Sequence, residues 1–192
     1  QNVEFIGESV ENTIITYDDH ANINKMGTFR TYTLKVEGNS ITFRNLTIEN
    51  NAARLGQAVA LHTEGDKLVF INCRILGNQD TIYTGAAGTR LYFADCYIDG
   101  TTDFIFGPST ALFENCEIRS KTNSYVTAAS TPKDIAVGYV FKNCRLTADP
   151  GVDKVYLGRP WRPYAATVFI NCEMGKHIRP EGWHNWGNVE NE

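Results

Sequence analysis

"LVFINCRI" (residues 68–75) decides the fold, because close copies of it recur along the chain. Each copy has a phenylalanine, one variable residue, an asparagine or aspartate, and a cysteine. The further copies are LYFADCYI (91–98), ALFENCEI (111–118), YVFKNCRL (139–146) and TVFINCEM (167–174). An earlier copy, ITFRNLTI (41–48), has Leu46 in place of cysteine. Regular recurrence of one short unit is typical of a solenoid built from stacked coils.

The spacing of the cysteines measures the length of one coil. Successive cysteines are 23, 20, 28 and 28 residues apart at Cys73, Cys96, Cys116, Cys144 and Cys172. None of them belongs to a CxxC pair, so we interpret them as an internal ladder of small, buried thiols without disulfides. The same spacing places the phenylalanines in a second internal ladder.

The charges beside the phenylalanine and the cysteine predict a corner between them. The residue after phenylalanine is charged in three copies, and the residue after cysteine is charged in four. The charged residues must face solvent, and phenylalanine and cysteine must both face inward. Both conditions are met only if the chain bends at the asparagine or aspartate. Both residue types tolerate the left-handed conformation that such a corner needs. The predicted corners are Asn45, Asn72, Asp95, Asn115, Asn143 and Asn171. A second corner is predicted four residues after the cysteine, at Gly77 and Gly100.

Short strands, sharp corners and this period together predict an all-β fold, a parallel β-helix. Stacked coils share one core that no single coil could bury. A TIM barrel or a doubly wound sheet would need amphipathic helices of about 10 residues between strands, and the sequence has no such segments. We expect residues 1–192 to form a single β-helix domain.

Composition argues against several classes of function. The net charge is −4, without the basic stripe that a nucleic-acid-binding protein needs. No apolar run approaches the roughly 18 residues of a membrane-spanning helix. The four histidines are scattered, so the sequence does not suggest a zinc site. We therefore expect no nucleic-acid or membrane partner.

Two aspartates recur at the same point of successive coils. Asp80 in GNQDTIY (77–83) lies seven residues after its cysteine, and so does Asp103 in GTTDFIFG (100–107). Equal offsets on neighbouring coils place them roughly 4.8 Å apart. At that distance one pKa should rise while the other stays low. A proton donor and a nucleophile require this separation of roles.

Amide, cationic and aromatic residues complete the candidate site. Gln57 lies 22 residues before Gln79, so the two amides should stack beside the acids and could form an oxyanion hole. In LGRPWRPY (157–164), Arg159 could hold one carboxylate through two hydrogen bonds. Trp161 could stack on the flat face of a sugar.

Four motifs on a repeating coil resemble the pectin methylesterase family. They are GQAVAL, GNQDTIY, TTDFIFG and LGRPW, in this order, and the resemblance extends from VEFIGES (3–9) to GWHNWG (182–187). It implies a right-handed parallel β-helix acting on methyl-esterified polygalacturonate. It also implies that the chain is a catalytic domain shortened at both ends relative to the family. The chain departs from the family pattern at Thr102, where valine is common, and at VTAAST (126–131).

The resemblance also implies a role for each site residue. Asp103 would be the nucleophile, Asp80 the general acid and then base, and Gln57 and Gln79 the oxyanion donors. Arg159 would pair with Asp103, and Trp161 and Phe106 would contact the substrate. The resemblance implies no metal or organic cofactor, a polysaccharide substrate, and a secreted or extracellular location. We expect a monomer.

Other readings of the two acids stay open at this point. A retaining polysaccharide hydrolase also uses two carboxylates about 5 Å apart. A non-catalytic carbohydrate-binding or adhesion module would bind the polymer without turnover. Release of methanol without new reducing ends would distinguish an esterase from both.

Overall fold

Three parallel sheets run along the molecule in the computed structural model, which describes residues 2–191. Numbered in chain order, the strands of the first sheet are β1 Val3–Ile6, β4 Ile41–Arg44, β7 Leu68–Ile71, β10 Arg90–Ala94, β13 Thr110–Glu114, β16 Tyr139–Lys142 and β19 Thr167–Ile170. Those of the second sheet are β2 Ile14–Tyr17, β5 Thr47–Asn50, β8 Arg74–Leu76, β11 Tyr97–Gly100, β14 Glu117–Ser120, β17 Arg145–Ala148 and β20 Glu173–Met174. Those of the third sheet are β3 Leu34–Val36, β6 Leu61–Thr63, β9 Ile82–Thr84, β12 Ile105–Gly107, β15 Tyr125–Ala129 and β18 Tyr156–Gly158.

Each coil contributes one strand to each sheet in turn, except that the last, with β19 and β20, has no strand in the third sheet, so the predicted parallel β-helix is confirmed. Three short 3₁₀-helices lie outside the sheets, at Ile23–Lys25, Thr28–Arg30 and Val189–Asn191. Within residues 2–191 no helix has the length and apolar character that crossing a membrane requires.

The predicted asparagine and aspartate corners are confirmed. All six residues are in the left-handed conformation, with φ between 50° and 56°. Their side chains also stack, since Asn72 Nδ2 donates to Asn45 Oδ1 at 2.9 Å. This corner turns the chain from the first sheet into the second, and the phenylalanine and cysteine on either side of it both face the core.

The interior contains the two predicted ladders. Rings on adjacent coils stack nearly parallel, with centroids 4.5–5.0 Å apart and interplanar angles of 5–10°, from Phe5 through Phe43, Phe70, Phe93, Phe113 and Phe141 to Phe169. The five cysteines are all free, and only Cys172, on the last coil, is not fully buried.

The second corner differs from the prediction. Gly77 begins a turn, but Gly100 is the last residue of β11, and the left-handed conformations fall on Asp80 and Asp103. The glycines serve close packing instead. A Cβ at Gly100 would lie 2.2 Å from the Cβ of Phe104, and one at Gly77 would lie 2.7 Å from Thr81 Oγ1.

The helix also has one coil more than the six sequence copies predict. Strands β1, β2 and β3 form it, with Phe5 in register with Phe43. Its corner lies near Gly7, and it has no cysteine, so the repeat pattern did not reveal it.

Candidate active site

The two aspartates lie at equivalent turns between the second and third sheets. Asp80 precedes β9 and Asp103 precedes β12, on adjacent coils. The N–H of Asp80 donates to the carbonyl of Thr102 at 3.1 Å, next to Asp103 in the chain. Both residues are left-handed, with φ of 66° and 49°, and both are largely buried. The spacing of the coils thus brings the two carboxyl groups close together, and burial removes both from most of the solvent.

Arg159 binds Asp103 from the end of β18. Its Nε donates to Oδ1 at 3.0 Å and its Nη2 to Oδ2 at 2.7 Å, which is a bidentate pair. The guanidinium lies between two aromatic rings, 4.0 Å from the centroid of Tyr125 and 3.7 Å from that of Trp186. These rings restrict the arginine to the plane in which both hydrogen bonds form.

The surroundings of the two acids give them different acidities. Burial raises the pKa of Asp80 to about 8, the negative charge of Asp103 adds to the rise, and Arg159 opposes it. Burial also raises the pKa of Asp103, but the hydrogen bonds and charge of Arg159 limit that rise. The expected low pKa for one of the acids is therefore not found, because both carboxyls are removed from water. Asp103 is still the acid that ionises first.

Two amides lie beside the acids on the same side of the coils. The N–H of Ala58 donates to the carbonyl of Gln79 at 3.0 Å, which places Gln57 and Gln79 on adjacent coils. Both side chains are half-buried, and neither makes a hydrogen bond to another residue of the described chain, 2–191. Their N–H groups are thus available to a ligand. On the next two coils, Thr102 Oγ1 and Ser124 Oγ share a hydrogen bond of 2.8 Å.

Aromatic side chains form the surface next to the acids. Phe106 packs on Tyr83 with ring centroids 4.8 Å apart, and Trp161 lies 5.8 Å from Phe106. Phe29 packs against Tyr83 with ring centroids 4.8 Å apart and reaches within 6.4 Å of Trp161. We name Phe29, Tyr83, Phe106 and Trp161 the aromatic surface. The two aromatic residues singled out in the sequence, Phe106 and Trp161, are therefore brought together beside the acids.

Several residues of the site were missed by sequence reasoning. Tyr83 could have been found, because it lies ten residues after Cys73 just as Phe106 lies ten after Cys96. The same count from a cysteine does not find the other three, which are Phe29, Tyr125 and Trp186. They come from the irregular segments or from a coil of different length.

The arrangement combines a protonated carboxyl, an arginine-bound carboxylate, free amide donors and an aromatic surface. It can therefore supply a nucleophile, a proton donor and hydrogen bonds to a developing oxyanion. Among residues 2–191 no group of three histidine, cysteine, aspartate or glutamate side chains is placed to hold a metal ion.

Comparison with known proteins places this chain in a family. Pectinesterase 31 of Arabidopsis thaliana is 41% identical over 99% of this chain and 63% of its own length. The structure of pectin methylesterase from carrot superimposes with a TM-score of 0.91 at 31% identity, covering 98% of this chain and 62% of that one. A pectin methylesterase solved in complex with a hexasaccharide superimposes with a TM-score of 0.84 at 29% identity, over 93% of this chain and 68% of that one. This chain therefore spans less than two thirds of the length of Pectinesterase 31 and of the carrot protein. The family model for Pectinesterase matches residues 1–191, and the chain belongs to the pectinesterase family.

Proposed function

We propose that this chain is a carboxylic ester hydrolase that removes methyl groups from methyl-esterified polygalacturonate, releasing methanol and leaving acidic pectate. The observation that carries the proposal is the unequal pair of acids. One carboxyl is bound by Arg159 through two hydrogen bonds, and the pKa of the other is raised to about 8. Membership in the pectinesterase family and the hexasaccharide bound by a relative support the choice of substrate.

In the first half of the reaction, Asp103 is the nucleophile. One of its carboxylate oxygens attacks the ester carbonyl carbon, and the negative charge moves to the carbonyl oxygen. The side-chain N–H groups of Gln57 and Gln79 donate to that oxygen. The carbon–methoxy bond then breaks as Asp80 gives its proton to the departing oxygen, which leaves as methanol. The product of this half is an anhydride between Asp103 and the uronate.

In the second half, Asp80 acts as a base. It is now a carboxylate and takes a proton from a water molecule, whose oxygen attacks the uronate carbonyl of the anhydride. The anhydride bond breaks, Asp103 returns to its carboxylate form, and Asp80 is again protonated. One ester and one water have become one carboxylic acid and one methanol.

The aromatic surface would hold the sugar rings beside the acids. Trp161 presents an apolar face of the kind that stacks on pyranose rings, and Tyr83 and Phe29 extend that area. Phe106, which is only 4% exposed, packs against Tyr83 and Trp161. We further propose that the protein acts outside the cell, because its polymeric substrate cannot enter a cell. We also propose that it is a monomer and that residues 1–192 are one catalytic β-helix domain.

Methanol release from highly esterified pectin tests the proposal. We expect methanol without new reducing ends, and we expect Asp103→Asn to lower the rate at least about a thousandfold, because an amide cannot attack the ester. Asp95→Asn is a matched control on the same coil, since Asp95 is exposed and other coils have asparagine at that corner.

Three results would contradict it. They are new reducing ends, binding of the polymer without methanol release by the folded parent, and full activity in folded Asp103→Asn.

A further inference from the structure

An ion pair that the proposed reaction does not use lies beside the turns of the site. Asp99 is on β11, just before the turn that carries Asp103, and Lys121 directly follows β14, at the start of the turn that leads to Tyr125, the first residue of β15. Each of these turns lies between the second and third sheets. The pair is thus close to the segments that place the two acids and the ring under Arg159.

Lys121 connects three successive coils. Its backbone N–H donates to the carbonyl of Gly100 at 2.8 Å, one coil back. Its Nζ reaches a further coil and donates to the carbonyl of Gly77 at 2.6 Å, while lying 3.5 Å from Asp99 Oδ1. The same Asp99 oxygen accepts the N–H of Gly77 at 3.1 Å. Both polar groups of the Gly77 backbone are therefore held by this one ion pair.

Gly77 begins the turn that contains Gln79 and Asp80. Further along the turn, Thr81 Oγ1 donates to the carbonyl of Asp99 at 3.0 Å. Asp99 therefore contacts the turn on both sides of Asp80. Between these two contacts, the backbone of Asp80 is in the left-handed conformation. Such a backbone persists only where the surrounding contacts determine it.

The burial of the pair sets it apart from the surface ion pairs. The side chains of Lys121 and Asp99 are 23% and 13% exposed. Every other lysine or arginine ion pair in residues 2–191 is more exposed except Arg159–Asp103. Burial of two charges costs free energy of desolvation, so general solubility does not explain this placement.

We propose that Asp99 and Lys121 are positioning residues, which hold the turn 77–81 so that Gln79 and Asp80 meet the ester bound by Asp103. This role rests on the proposed function. Neither side chain touches the reacting atoms, and they act through the backbone of Gly77. A displacement of about 1 Å at a catalytic group can lower a rate about a hundredfold.

Lys121→Met tests the role, because methionine keeps most of the length of the side chain and loses the charge. We expect kcat to fall by about tenfold to a hundredfold with little change in KM. We also expect the alkaline limb of the pH–rate profile to move to lower pH. A loosened turn lets water reach Asp80 and moves Asp80 away from Asp103, so the pKa of Asp80 falls. Asp103 and Arg159 are the charged groups that face Asp80. Lys121→Arg, which keeps the charge, should recover part of kcat.

Arg119→Met is the matched control. Arg119 lies on β14, two residues before Lys121, and pairs with Asp149 at 2.7 Å, but it makes no hydrogen bond or ion pair with residues 77–81 of the described chain. We expect this variant to keep the parental kcat and pH profile. If Lys121→Met and Arg119→Met have the same kcat and the same alkaline limb of the pH–rate profile, the proposal is overturned.

Hydrogen exchange of the backbone amides of residues 77–84 decides the role without relying on activity. We expect faster exchange there in Lys121→Met and not in Arg119→Met. If the parent releases no methanol from pectin, the proposed function fails, while this measurement still tests whether the pair holds the turn. Unchanged exchange in Lys121→Met would show that it does not.

Discussion

Two aspartates at the same position of adjacent coils differ because only one of them meets an arginine. Asp80 and Asp103 share their backbone conformation, their burial and their distance from a cysteine. Arg159 contributes both of its hydrogen bonds to Asp103, and Tyr125 and Trp186 hold it in that orientation. In the proposed reaction, the division between nucleophile and proton donor is therefore decided at a single residue.

Arg159→Ala should remove this difference. Without the guanidinium the pKa of Asp103 rises further, so the acid limb of the pH–rate profile should move to higher pH, because Asp103 must be ionised to attack. The pKa of Asp80 is also held down by Arg159, so the alkaline limb should move in the same direction. We expect kcat to fall roughly a hundredfold or more.

Arg159→Lys distinguishes geometry from charge at this position. A lysine keeps the charge but cannot make two parallel hydrogen bonds or lie flat between two rings, so it should recover only part of the rate. The profile reports the coupled pair and not either acid alone. Unchanged limbs and a near-parental rate in Arg159→Ala would show that the arginine has no part in the reaction.

At the scale of the coil, the phenylalanine ladder supports the stack. Each inner ring packs between two others, and the rings of Phe70, Phe93, Phe113 and Phe141 are completely buried. The stacked rings act together with the parallel backbone pairing of the strands to fix the register between coils. The ladder therefore helps to set the height at which each turn, and hence each acid, lies.

Phe93→Ala should lower the free energy of unfolding by about 3–5 kcal/mol, because it leaves a cavity between two stacked rings. Phe5→Ala is the matched control, since Phe5 is 50% exposed and stacks on one neighbour only. Chemical denaturation followed by circular dichroism measures both. Equal losses would contradict the view that burial between two rings provides the stability.

At the scale of the whole molecule, burial of Asp80 beside Asp103 makes the stability of the fold depend on pH. The folded-state pKa of Asp80 is about 8, above the value of about 3.9 expected in the unfolded chain. The stability that this group contributes is fully present below about pH 4 and is lost as the pH rises through about 8. The protein should therefore lose stability over this range because of its site.

Asp80→Asn should remove that loss. Asparagine is neutral, has a similar size and tolerates the left-handed backbone, so the variant should match the parent near pH 4 and be more stable by roughly a few kcal/mol above pH 8. Thermal unfolding from pH 4 to pH 9 measures the difference. Asp95→Asn is the control, because Asp95 is exposed. Parallel curves for Asp80→Asn and its parent would contradict the assigned pKa.

The repeat alone determined most of the fold and the core of the site. A position that recurs with every coil must lie on one line along a β-helix, so the inward phenylalanines, the cysteines and the left-handed corners follow from spacing. The same reasoning placed Asp80 beside Asp103, because both lie seven residues after a cysteine. The one coil it missed has neither cysteine nor asparagine at the expected places.

The tertiary structure decided what lies off the repeat. Arg159 is 56 residues from Asp103 along the chain, and only the folded coil shows that two rings orient it. Phe29 joins Tyr83 from an irregular segment, and Lys121 reaches Gly77 across two coils. Spacing specifies which backbone positions are neighbours, whereas the direction and reach of a long side chain depend on every contact around it. The pattern of coils and a difference in acidity between the two aspartates were therefore readable in the sequence. The burial that raises both pKa values, and the rings that hold Arg159 on Asp103, were not.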